Sequence, residues 1–134
     1  IINFFPADRH GQLWMDLSLN LKAIVAQQLV PTPDGMGRKA VIEVLINTPL
    51  VADLIRKGEV HRLKDLMSKS NESGMRTFDQ ALYQLYAEGS ITYEDALLHA
   101  DSANDLRLMI KLGTDSQGAD QLASSVDKLS IQDD

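Results

Sequence analysis

Apolar positions change their spacing twice along the chain, and those changes mark out its elements. Between Gln12 and Lys22, Leu13, Leu17 and Leu21 recur every four residues with Trp14 beside them, which predicts a helix over 12–22. The spacing then collapses into two nearly continuous apolar runs, AIVAQQLV (23–30) and KAVIEVLI (39–46), both rich in β-branched residues. Between them, Pro31 to Gly37 holds two prolines and two glycines and predicts a turn, so the pair reads as a β-hairpin with a seven-residue loop. Strands that are apolar on both faces suit the inside of a larger sheet better than a half-exposed edge.

From Asn47 the helical spacing returns. Thr48 can cap a helix and Pro49 fits its first position, where a missing N–H costs nothing. Leu50, Val51, Leu54 and Ile55 form one apolar stripe, Asp53, Arg56 and Lys57 point elsewhere, and Gly58 supplies a left-handed stop. A second amphipathic run places Val60, Leu63, Leu66 and Met67 inward, with Glu59, Arg62, Lys64, Asp65 and Lys69 outward. After a break at 71–74, Thr77 and Gln80 have the spacing of a capping box for a helix over 78–88 that buries Phe78, Ala81, Leu82, Leu85 and Tyr86 and ends at Gly89. Thr92 starts another helix, with Ile91 placed to staple onto Ala96, and Ser102 with Asp105 starts a last one over 103–112, its apolar face Leu106, Met109 and Ile110, closed by Gly113. The expected fold is therefore α+β, a β-hairpin beside a bundle of short C-terminal helices, with a helix-and-hairpin part (1–46) followed by a helical part (47–112). From 113 to 134, glycine, serine, glutamine and aspartate dominate and predict disorder, although Leu122, Val126 and Leu129 fall at helical spacing.

Charge narrows the possible partners. The 134 residues carry a formal net charge of −6, and 113–134 alone holds five aspartates against one lysine. No basic stripe exists to neutralise phosphates, which argues against nucleic acid. No apolar run approaches the roughly 20 residues of a membrane span. Without cysteine the chain has no disulfide and no thiolate metal site. The apolar opening, with Ile1, Ile2, Phe4 and Phe5 in the first five residues, leads us to expect a piece cut from a longer protein.

Candidate chemistry is sparse. Asp34 to Lys39 is the one glycine-rich loop beside a lysine, but a phosphate cradle needs G-x-x-x-x-G-K-[ST] between a strand and a helix. Here Arg38 follows Gly37, Ala40 stands where a hydroxyl is required, and a strand follows, so a hairpin turn is expected. His10, His61 and His99 make no ligand spacing with one another. Glu94 and Asp95 are consecutive and point about 100° apart on a helix, so they share no proton. No catalytic, cofactor or metal site is expected in the chain itself.

TPLVADLIRKGE (48–59) resembles the signature helix T-P-A-I-R-N-L-I-R-E-G-K of the type IV pilus retraction ATPases, the PilT/PilU family, at Thr48, Pro49, Leu54, Ile55, Arg56 and Gly58. Further matches run in order across 1–112: Phe5-Pro6, Leu17-Ser18, Ala26 to Leu29, Gly37-Arg38, Gly74-Met75, Asp79 to Leu82, and Gly89-x-Ile91-Thr92. The family's arginine and glutamate are replaced by Ala52 and Lys57, departures that point to the PilU branch. The resemblance implies the C-terminal part of a RecA-like P-loop ATPase domain, in a hexameric cytoplasmic motor peripheral to the inner-membrane pilus base that drives retraction and twitching motility. It implies ATP and Mg bound upstream of Ile1, a homo-hexamer, and contacts with the inner-membrane platform and a related retraction ATPase. Positionally it assigns partner contacts to the signature helix through Leu50, Asp53, Leu54, Ile55, Arg56, Lys57 and Glu59. Two other classes stay open: a type II secretion or pilus-assembly ATPase, and a non-enzymatic helical interaction module.

Overall fold

The structure, a computed structural model, describes residues 1–70 and 73–114. Two 3-10 turns, Ile2–Phe4 and Ala7–Arg9, lead directly into helix α1, His10–Asn20. This helix begins two residues before the expected start, because the second turn already carries helical geometry and His10 Nε2 bonds back to the Phe5 carbonyl at 2.9 Å. Trp14, Leu17 and Leu21 pack inward as their spacing predicts.

Strands β1 (Ala23–Pro31) and β2 (Arg38–Ile46) pair antiparallel in the expected hairpin, in register from Ala23–Ile46 to Pro31–Arg38. One face turns Val30, Val41 and Leu45 into the core. The other exposes Val25, Leu29 and Ile42, with Val25 at 65% exposure, so burial on both faces does not hold within this chain. Two strands offer two faces, and the helices cover only one of them along most of their length. The outer edge of β2 is partly closed: Val44 and Arg76 exchange both backbone hydrogen bonds, at 2.8 and 3.0 Å.

The helical part comprises α2 (Pro49–Arg56), a 3-10 turn Val60–Arg62, α3 (Leu63–Ser68), α4 (Phe78–Ala87), α5 (Tyr93–His99) and α6 (103–114). The capping box of α4 forms in full, with Thr77 Oγ1 accepting from the Gln80 N–H and the Gln80 side chain accepting from the Thr77 N–H. Two apolar clusters result, one at each end of the hairpin. Near its loop, Val30 and Val41 meet Ala81, Leu82, Ile91, Ala96 and Leu106. Near its open end, Leu45 meets Val51, Ile55, Met67 and Met75.

Two expectations need correction. Val60, read as inward, is 44% exposed, because it lies in a 3-10 turn ahead of α3 and not on that helix's stripe. Gly113 does not close α6, which continues through it to 114. A Cβ there would sit 2.0 Å from Tyr83 Oη, so a larger residue would have to displace the tyrosine hydroxyl. The expectations for 115–134, including Leu122, Val126 and Leu129, lie outside the described residues.

Candidate interaction face on α2 and α3

Helix α2 is placed by its two ends. Before it, the Asn47 amide donates to the carbonyls of Ser18 at 3.1 Å and Leu21 at 2.7 Å, tying the start of α2 to the end of α1. Thr48 Oγ1 accepts from the Val51 N–H at 3.3 Å, and Pro49 takes the first helical position. At the far end Gly58 has φ +71°, its N–H bonds Ile55 O at 3.0 Å, and the Glu59 N–H bonds Leu54 O at 2.9 Å. That is the Schellman arrangement, which needs a residue without a Cβ penalty in the left-handed region. A Cβ on Gly58 would meet the Trp14 indole at 3.4 Å, an ordinary van der Waals contact, so α1 lies against this end.

Between its ends, α2 divides its residues sharply. Val51, Leu54 and Ile55 are buried, so Leu54 and Ile55 serve chiefly to hold the helix in place, although Leu54 also forms part of the floor of a surface depression. Asp53, Arg56 and Lys57 lie together on the outside: Asp53 pairs with Arg56 and, at 2.8 Å, with Lys57. Hydrogen bonds from Lys57 first, then Arg56, hold the Asp53 carboxyl below the usual aspartate value. Glu59 pairs with Arg62 at 3.0 Å across the following turn. Beside these charges, a shallow depression of about 250 Å³ is lined by Leu50, Leu54, Arg62, Asp65, Leu66 and Lys69. Of the seven residues assigned to the signature helix, five are thus accessible and two are structural.

Such a face can bind through charge pairs and exposed leucine; nothing in it activates a nucleophile or stores a proton. The glycine-rich loop does not fit a nucleotide either. Its backbone donors are taken, the Met36 N–H by Asp34 Oδ1 at 3.0 Å and the Gly37 N–H by Thr32 Oγ1 at 3.1 Å. An aspartate carboxylate, its pKa lowered by the Thr32 hydroxyl and then the Met36 N–H, stands where phosphates would have to go. His10 and His99 each bond a backbone carbonyl on their own segment, and His61 is exposed on a different turn; the three do not converge.

Pattern reading missed a second polar cluster. Lys64 of α3 pairs with Glu43 of β2 and, at 2.9 Å, with Asp101, while Asp79 of α4 accepts the N–H groups of Asp101 at 2.8 Å and Ser102 at 3.1 Å. Burial pushes the Asp79 carboxyl above the usual aspartate value. The partners lie 21 to 37 residues apart, beyond the reach of any helical or strand period.

No protein-family model matches the chain. It is 78% identical over 132 residues to the type IV pilus ATPase PilU of Pseudomonas aeruginosa, covering 98% of this chain and 34% of that protein. It is 35% identical over 106 residues to a twitching motility protein of Neisseria gonorrhoeae, covering 79% of this chain and 28% of that one. Its fold matches the crystal structure of the pilus retraction motor PilT with bound ADP at a TM-score of 0.68 and 33% identity, over 80% of this chain and 29% of that structure. The chain spans about a third of the length of these proteins.

Proposed function

We propose, from the chain's kinship with the PilT/PilU family of type IV pilus ATPases, that it is the C-terminal portion of a hexameric motor ATPase that powers pilus retraction and twitching motility. In this reading ATP and Mg are handled by residues outside the chain. The helix and hairpin of 1–46 complete the ATPase domain, and 47–112 transmits force through contacts with neighbouring subunits, a related retraction ATPase and the inner-membrane platform on the cytoplasmic side. Among the described residues no helix is long and apolar enough to cross a membrane.

The observation that carries the proposal is the division of labour along α2. Val51, Leu54 and Ile55 fix the helix in the core, while Leu50, Arg56 and Lys57 are exposed and Asp53 pairs with Arg56 and Lys57 on its own segment. A helix clamped at both ends moves as a unit, so force applied to its outer face reaches the hairpin through Leu45 and its cluster. In the whole protein, Arg56→Ala should abolish or strongly reduce twitching while leaving the melting temperature unchanged. Unaltered twitching would remove this face from the mechanism.

A further inference from the structure

Glu43 stands between Val41 and Leu45 on one face of β2, and those two neighbours belong to different apolar clusters. Its side chain is only 13% exposed. On it converge the Lys64 ammonium from α3 and, at 3.4 Å, the Phe78 N–H that opens α4. The same ammonium reaches Asp101 at 2.9 Å, just ahead of α6, and lies 5.5 Å from the centre of the Phe78 ring. Asp79 then accepts the N–H groups of Asp101 and Ser102, and Ser102 Oγ accepts from the Asp105 N–H in the first turn of α6.

Packing makes this lysine a mechanical link. Met67 of α3 belongs to the cluster at the open end of the hairpin, and Leu106 of α6 to the cluster at its loop. Between the two helices lies a gap of about 270 Å³ lined by Lys64, Asp79, Asp101, Asp105 and Met109, among others. Motion passes between helices through whatever spans the space between them, and here the Lys64–Asp101 pair spans it beside α4, whose Gln80 holds the Ser68 carbonyl and whose Asp79 holds the N–H groups of Asp101 and Ser102. We propose that Lys64 is a clasp coupling the α2–α3 unit to the first turn of α6, so that displacing α2 and α3 draws Asp101 and the start of α6 with them. The clasp is a property of this fold and stands whether or not α2 is the contact face of a motor. Burial alone would pull the lysine's pKa down, but Glu43 and Asp101 outweigh it, so the ammonium stays charged throughout the physiological range.

Hydrogen exchange on the full chain tests the coupling. Thr48→Ala removes the cap of α2 and loosens that end of the molecule. With Lys64 in place, exchange should rise in α2 and also, about threefold, over 101–106, a size suited to a half-exposed pair. In a Lys64→Met background the same cap removal should raise exchange in α2 alone. Asp101→Asn breaks the pair from its other end at an exposed position and should uncouple in the same way, and Lys64→Arg should restore coupling. An equal rise over 101–106 with and without Lys64, or none in either background, overturns the clasp.

Discussion

Helices α2 and α4 begin and end alike, yet their polar residues do opposite work. Each starts at a threonine cap and stops at a left-handed glycine, Gly58 or Gly89, with the same pair of Schellman hydrogen bonds. Beyond the caps they diverge. Among the described residues, Asp53 of α2 pairs with Arg56 and Lys57, one turn away on its own segment. Asp79 of α4 reaches across to the N–H groups of Asp101 and Ser102, and Gln80 donates to the Ser68 carbonyl at the end of α3 while closing its own capping box. Polar groups that satisfy one another locally leave a surface free for a partner. Groups engaged across the fold hold it together. The comparison assigns fold-keeping to the polar side chains of α4, whereas those of α2 remain at the surface, paired on their own segment.

The widest separation between the two helices should appear in their leucines. Leu82 of α4 is fully buried, so Leu82→Ala should cost about 3 kcal/mol in urea denaturation, within the roughly 2–5 kcal/mol range of such truncations. Leu50→Ala on the exposed side of α2 should stay within about 0.5 kcal/mol. Similar losses at both positions would break the contrast. Next come the aspartates. Asp79→Ala leaves two N–H donors at the start of α6 without their acceptor and should cost about 1–2 kcal/mol. Asp53→Ala, on an exposed and self-contained pair, should leave the denaturation midpoint where it is.

The smallest effect is also the sharpest in sign. Asp53 is held below the ordinary aspartate value of ~3.9 by Lys57 and Arg56, so the folded chain binds fewer protons there than the unfolded chain. Its contribution is present above the ordinary value and is lost as pH falls through the lowered one. Asp79 is pushed the other way by burial, and its two N–H donors and Lys64 only partly offset this. The folded chain therefore binds more protons at Asp79, and its ionisation weakens the fold as pH rises from the ordinary value through the raised one. Carboxyl titration by NMR should place the two midpoints on opposite sides of the ordinary value; coincident midpoints would remove the electrostatic half of the comparison.

Most of the local architecture was legible in the sequence, because it is written in short spacings. Thr48, Thr77 and Thr92 each cap the helix their position announces, and the turn residues at 31–37 join strands paired within a residue of the expected limits. What escaped depends on partners that no period encodes. Whether an apolar residue is buried is decided by the neighbouring element and not by its own stripe, so Val60 reads as core and lies at the surface. Gly113 read as a helix stop, yet α6 runs through it with the Tyr83 hydroxyl packed against it. The Lys64 cluster joins residues from four segments, and their meeting is fixed only once the hairpin and helices are assembled. On the candidate face, the accessible residues Asp53, Arg56 and Lys57 could be picked out from their charges, whereas the burial of Leu54 and Ile55 shows that a sequence motif can mix accessible residues with structural ones.

Photo-crosslinking in the whole protein tests most directly whether α2 recognises a partner. A benzophenone side chain at Leu50, beside the outer charges of α2, should form an adduct with a neighbouring subunit or with the inner-membrane platform of the pilus. The same probe at Leu108, equally exposed on α6, should form none. Adducts from Leu108 and none from Leu50 would contradict the account.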